Sequence, residues 1–328
     1  MEFKAFIVEE IENGSFNRRI GSRKIEDLPE GEVLVRVKYA GLNYKDAMSA
    51  SGNKGITRKY PHTPGIDAAG IVEESSSADW KKGEKVIVHS HDLGMNTSGA
   101  FAEYIRVPAD WVLKLPENMS LEESMILGTA GFTAGLSVYK MLQNRQTPEM
   151  GPIVVTGATG GVGSMAVSIL SQIGFKVHAS SGKKEEENFL KKLGAAKILS
   201  REDVDDKSGK PLLRSQWAGA VDTVGGNTLA TIFKACGRNG NVAVCGLVSS
   251  PELQTTVYPF ILNGVNLLGI ETAETPLQIR EEIWQKLADE WKPKLLEEVK
   301  NIISLEELES HISDMLKGKS RGRTVVKL

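Results

Sequence analysis

The sequence predicts an α/β protein of two domains, a β-rich unit joined to a doubly wound parallel sheet, and three observations predict it. Through about residue 120 the chain runs in short alternating apolar–polar segments broken by Gly and Pro. From Leu121 the apolar spacing lengthens to three and four, and strand-like and helix-like runs then take turns. The ending, GRTVVKL, reads as a strand again, so the chain is expected to return to its first domain. The expected boundaries are 1–123 with 273–328 for the β-rich domain and 124–272 for the doubly wound one. A length of 328 residues suits two domains.

The elements follow in order. KAFIVEE, EVLVRVKYA, AAGIVEE, EKVIVHS and AEYIRVPADWVLKLP read as strands between turns. LEESMILGTAGFTAGLSVYKML places Met125, Thr129, Phe132, Leu136 and Tyr139 on one helical face. PIVVTG, FKVHASS, AKILS, GAVDTV, NVAVCGL and VNLLGIE then read as six strands, with helix-like SMAVSILSQIG, EEENFLKKLG and NTLATIFKACG among them. PLQIREEIWQKLADEW reads as a further amphipathic helix.

Composition narrows the classes. Hydrophobic residues make up 41% and charged residues 25%, ordinary values for a globular chain with a substantial core. A formal charge of −2 gives no strong field toward nucleic acid or a membrane. Cys236 and Cys245 make no disulfide framework and lack the close spacing of paired zinc ligands, so they are expected as buried thiols. MEFKAFIVEE carries no apolar signal core and no apolar run reaches a membrane span, so the expected compartment is the cytosol.

VVTGATGGVGS joins a strand to a helix through Gly157, Gly160, Gly161 and Gly163. The spacing G-x-x-G-G-x-G is a variant of the dinucleotide fingerprint. Its glycines permit a tight turn and close backbone approach to a pyrophosphate at the helix N-terminus. Thr159, Gly160, Gly161 and Val162 are the expected contacts. The second strand of this domain, FKVHASS, ends without the carboxylate that holds a ribose 2′-hydroxyl in NAD readers. It ends on Ser180, Ser181, Gly182 and Lys183, two hydroxyls and a cation that suit a 2′-phosphate, so the expected cofactor is NADPH. Arg201, after the third strand, is expected to stack on adenine or add charge there.

GLNYKDAM, PHTPGIDAAGIV, GTAGFTA, VVTGATGGVGS, WAGAVDTVGG, TTVYPFILNGVNLLGI and GRTVVKL together resemble the medium-chain dehydrogenase/reductase superfamily over essentially the whole chain. Within it the chain is similar to the zinc-free, quinone-oxidoreductase-like branch and closest to its acrylyl-CoA reductase group. The resemblance implies a GroES-like catalytic domain and a Rossmann domain. It also puts Asn43 and Ile66 where zinc-dependent members carry Cys and His ligands, so no metal is expected. His62, His89 and His91 are read as ordinary rim residues.

Without a metal, the reaction the resemblance implies is hydride addition to an activated C=C. Asn43, at the former metal position, is expected to donate a hydrogen bond to substrate. Tyr44 matches a position near the cofactor pyrophosphate. Lys45 matches a proton-relay position, and burial would tune it for acid or oxyanion duty. Asp46 anchors the turn or pairs with Lys45. Thr129, Val224, Gly225, Leu247 and Ile261 are expected near the cofactor, and Arg323 matches a phosphate-contacting Arg. Lys54, Arg58 and Lys59 are candidates for the rim that a CoA ester would need. The expected partners are a small-molecule substrate (enoyl-CoA, enone or quinone) and a second copy of the chain. A quinone or enone reductase, and a non-catalytic NADPH-binding sensor, are the alternative functions.

Overall fold

Period-two patterning becomes sheet in the first part of the chain and βα alternation becomes a parallel sheet in the second. The computed structural model describes the backbone of all 328 residues and every side chain except that of Asn13. It divides into two units. Unit 1 is Met1–Thr129, Ala273–Glu282 and Val299–Leu328, and unit 2 is Ala130–Thr272 and Ile283–Glu298.

In unit 1, β1 (Glu2–Glu10) and β2 (Phe16–Lys24) form an antiparallel ribbon. β3 (Val33–Leu42), β4 (Asp67–Ser75), β5 (Lys85–His89), β6 (Tyr104–Val107) and β7 (Val112–Lys114) enter a seven-stranded sheet. β3 runs on into a short helix, α1 (Tyr44–Ala50). Val33, Val35, Val37, Val72, Val86 and Val88 share the core of this unit. β2 was not foreseen: FNRRIGSRK alternates only weakly because its strand is half solvated and pairs with β1 alone.

Helix α2 (Leu121–Gln143) is broken at Gly128, whose φ of 51° and ψ of −156° are not helical. It is long and apolar enough to cross a membrane, yet 78% of its apolar window is buried, which makes it a core helix.

Unit 2 holds β8 (Ile153–Val155), β9 (Val177–Ser180), β10 (Ala195–Leu199), β11 (Trp217–Asp222), β12 (Cys236–Val244) and β13 (Asn266–Gly269). All its pairings are parallel, in the order β10-β9-β8-β11-β12-β13. The order reverses beside β8, the switch point where a doubly wound sheet binds its ligand. Helices α3 (Gly161–Gln172), α4 (Glu187–Lys192), α5 (Gly226–Ala235) and α6 (Tyr258–Asn263) make the crossovers. Beyond α7 (Leu277–Ala288) and α8 (Leu296–Val299), the strands β14 (Lys300–Ser304) and β15 (Arg323–Lys327) join the unit 1 sheet in the order β14-β15-β3, with α9 (Leu308–Leu316) between them in sequence.

The units differ from the expected boundaries in two places. Residues 124–129 stay with unit 1 because the break at Gly128 ends the first half of α2. Residues 283–298 go to unit 2, where Trp284 stacks on Phe132 at 6.4 Å and Ile283 lies against Gly135.

Candidate active site

Pairing registers assemble the polar centre of unit 1. β15 lies antiparallel to β3 with Thr324 opposite Leu42, which sets Arg323 next to Asn43. β4 lies antiparallel to β5 with Asp67 opposite His89. Asn43 is the N-cap of α1, and a reciprocal capping box ties it to Asp46, whose Oδ2 accepts from the Asn43 N–H at 2.8 Å. Asp46 Oδ1 also accepts from the N–H groups of Gly65 at 3.1 Å and Ile66 at 2.9 Å. Asp46 therefore anchors the turn, as expected. Burial first, and the neighbouring Asp67 second, push its carboxyl up to about 7, against hydrogen bonds from Asn43 and Ile66 that favour the anion.

Asp67 is the hub, and sequence reasoning missed it. It is fully buried and accepts from Asn43 Nδ2 at 2.8 Å, Thr129 N at 2.9 Å and the Thr129 hydroxyl at 2.5 Å. Arg323 is ion-paired with it at 3.4 Å. The approach needs Gly128: a Cβ there would come within 2.3 Å of Asp67 Oδ2 and 2.7 Å of the Arg323 guanidinium. The only sign in the sequence is that Asp67 follows Ile66 at the former metal position, in a strand whose alternation hides a buried acid.

Asn43 is held at both ends of its amide. Nδ2 donates to Asp67 and more loosely to the Gly41 carbonyl at 3.3 Å, and Oδ1 accepts from Arg323 at 2.9 Å. Arg323 also donates to the carbonyls of Leu42 and Ile126, each at 3.0 Å, and is 3% exposed. The expectation of a phosphate contact is corrected here: this guanidinium is spent on a buried network inside unit 1. The Lys45 side chain is exposed, where burial was expected. Tyr44 is exposed at the start of α1. His89 and His62 are no rim residues, for both are buried, and the His62 ring bonds the Gly94 carbonyl at 2.9 Å. Of the candidate CoA rim, Lys54 is paired with Glu10 and lies over the Tyr60 ring, while Arg58 and Lys59 are exposed.

In unit 2 the glycine loop forms a cradle. Gly157 has a φ of 56°, and a Cβ on Gly163 would meet the Gly157 carbonyl oxygen at 2.3 Å, so only glycine allows α3 to start so close to the turn. Gly160 is the N-cap of α3, and Gly161 and Val162 open its first turn, where N–H groups lack intrahelical acceptors. Buried Asp222 braces the strand ends: it accepts from the Thr156 hydroxyl at 2.7 Å and from Gly225 N at 2.8 Å. The hydroxyls of Thr159 and Ser181 stand 3.4 Å apart, and the Lys183 N–H donates to Ser181 Oγ at 3.1 Å. Arg201 lies across Gly182, where a Cβ would come within 2.2 Å of its Nε. Thr159, Ser181, Gly182, Lys183 and Arg201 are thus brought together. Ser180 is not with them, because its hydroxyl turns inward to the Ser200 carbonyl. Leu247 and Ile261 are exposed, at 62% and 69%, Leu247 beyond the end of β12 and Ile261 on α6.

The cradle fits a dinucleotide on its own geometry. Residues 29–117 match the model of the alcohol dehydrogenase GroES-like domain, and residues 161–290 match that of the zinc-binding dehydrogenase. The quinone-oxidoreductase-like YhfP of Bacillus subtilis (strain 168) is 47% identical over 92% of both chains, and a structure of Bacillus subtilis yhfP with NAD bound aligns with a TM-score of 0.97, 43% identical over 100% of both. The acrylyl-CoA reductase AcuI of Ruegeria pomeroyi is 40% identical over 99% of this chain and 98% of its own. The yhdH oxidoreductase of Salmonella enterica in complex with NADP aligns with a TM-score of 0.96, 38% identical over 99% of both chains.

The chain belongs to the medium-chain dehydrogenase/reductase superfamily.

Its homologues are NAD(P)-dependent oxidoreductases. The zinc in the second family description does not fit the donor set here. The Asn43 amide is committed to Asp67 and Arg323, and Ile66 has no donor. Among the described residues, no group of three or more His, Cys, Asp or Glu is placed to hold a metal ion.

Proposed function

We propose that this member is an NADPH-dependent reductase of short enoyl-CoA thioesters such as acrylyl-CoA. The observation that carries the reading is the Asn43 amide, locked between Asp67 and Arg323 at the position where the resemblance implies a metal ligand. One of its N–H groups is fixed on Asp67, and the other rests on the Gly41 carbonyl at the longer distance of 3.3 Å. That second N–H is the one to transfer to an acyl oxygen as charge develops there, and a donor already held in place needs little reorganisation. When bound, the reduced nicotinamide dinucleotide supplies the hydride. Gly160, Gly161 and Val162 would hold its pyrophosphate at the start of α3, and Thr159, Ser181, Lys183 and Arg201 would hold a 2′-phosphate. Tyr44, which follows Asn43 at the start of α1, would supply the proton to the α-carbon.

We also propose a homodimer in the cytosol. β13 is an edge strand that carries half-exposed Leu267, and an apolar open edge favours pairing with a second copy.

NADPH oxidation followed with acrylyl-CoA and a simple quinone in parallel tests the reading. Fast turnover of the thioester supports it. Turnover of the quinone alone replaces it with a quinone reductase. Turnover of neither, with NADPH still bound, leaves a sensor.

A further inference from the structure

A second polar chain leaves the same hub through Thr129 and runs on through Ser90, His89 and Arg280, which belong to neither the fingerprint nor the Asn43 cluster. Thr129 donates its hydroxyl to Asp67. Ser90 Oγ lies 3.3 Å from Thr129 Oγ1 and 3.1 Å from His89 Nδ1. On its far side, His89 Nε2 lies 3.2 Å from the guanidinium of Arg280, which also donates to the carbonyls of Ala273 at 2.6 Å and Thr275 at 2.8 Å. Asp67, His89, Ser90 and Arg280 are all at most 6% exposed.

The ends have fixed polarity. A guanidinium can only donate, so His89 Nε2 must accept. A neutral imidazole that accepts at Nε2 carries its proton on Nδ1 and donates to Ser90 Oγ. With Thr129 O–H already pointed at Asp67, the Ser90 O–H donates to Thr129. Burial first, then Arg280 and His91, hold the His89 pKa well below the ordinary imidazole value, which keeps the ring neutral. The backbone is shaped for this link. Ser90 and His91 both have positive φ, 66° and 50°, a conformation non-glycine residues rarely adopt and which persists where the surroundings hold it.

We infer that His89 and Ser90 are positioning residues of the site, forming with Arg280, Thr129 and Asp67 a one-way hydrogen-bond chain that locks His89 as its Nδ1–H tautomer and aims the Thr129 hydroxyl at Asp67. The chain sets the orientation of the group that holds Asn43, and so the direction of the N–H assigned to the acyl oxygen. Its bearing on catalysis rests on the reductase reading, whereas the tautomer does not.

The first test is a long-range ¹H–¹⁵N imidazole spectrum of the full-length, ¹⁵N-labelled protein, with His89 assigned by its loss in His89→Asn. The expected result is an Nδ1–H tautomer that does not change between about pH 5.5 and 8.5. An Nε2–H tautomer, or an imidazolium in that range, overturns the inference. The second test is kinetic. Ser90→Ala keeps a Cβ at the same backbone angle and removes one link. Its kcat is expected to fall about tenfold, the scale seen for lost outer partners, with the NADPH KM moving less than about threefold. His89→Asn keeps a donor toward Ser90 and is expected to retain more kcat than His89→Leu. An unchanged kcat in Ser90→Ala, or equal losses in the two His89 variants, contradicts the positioning role. If the parent protein reduces neither substrate, the reductase reading fails, and the tautomer still decides the chain.

Discussion

The polar centre of unit 1 and the glycine loop of unit 2 are built in opposite ways. The centre is dry and crowded: four charged or amide side chains, Asn43, Asp46, Asp67 and Arg323, are at most 9% exposed and bonded to one another. The loop is made mostly of backbone, with half-buried Lys183 and exposed Arg201 at its outer end. Removing a partner from a saturated buried network leaves an uncompensated group, so damage there falls on stability. Removing a side chain from the loop leaves water to take its place, so damage there falls on affinity.

The largest effect expected from this contrast is at Asp67. Asp67→Ala removes the acceptor of Asn43, Thr129 and Arg323 and should cost about 3–5 kcal/mol in chemical denaturation. A loss below about 1 kcal/mol would erase the distinction between the regions.

Asp46 sharpens the same point through pH. Its folded pKa is raised above the ordinary value of 3.8, so the folded state binds its proton more tightly than the unfolded chain. The stability this provides is fully present below pH 3.8 and is lost as pH rises to about 7. The loss should be about 2–4 kcal/mol, and Asp46→Asn should abolish that slope. Urea titrations of both proteins across the window would show it.

In unit 2 the effects should move to binding. Gly163→Ala pushes a methyl against the Gly157 carbonyl, so NADPH Kd should rise at least about tenfold by fluorescence titration, with a smaller change in the denaturation midpoint of the free protein. Arg201→Ala should weaken NADPH about tenfold and leave NADH within about twofold, because only the former carries the 2′-phosphate. Equal weakening of both would move Arg201 to the adenine. Lys45→Ala, with its exposed side chain, should lower activity less than about threefold.

These differences track what could be read from the sequence. The six parallel strands and the loop were legible because apolar runs, glycine spacing and helix patterning are local. Asp67 and Arg323 were not, because their roles come from strand registers between segments 256 positions apart in sequence. A lone Asp in DAAGIV looks like alternation, and the resemblance assigned Arg323 to a phosphate rather than to a buried carboxylate. The exposure of Lys45 is decided at short range: α1 turns Asp46, Ala47, Ser49 and Ala50 inward, and that face leaves Tyr44 and Lys45 outside. The strain at Ser90 has no sequence signature at all, since serine is not a residue that announces a positive φ.

The proposed division of labour gives the reacting group to the Asn43 amide and the cofactor to the glycine loop. Single-turnover NADPH oxidation with acrylyl-CoA by Asn43→Ala, measured beside an NADPH titration of the same variant, tests it most directly. The account predicts hydride transfer slowed about 100-fold, the scale of a lost oxyanion donor, with NADPH Kd within about threefold of the parent. An unchanged rate, or a loss of binding as large as the loss of rate, would contradict it.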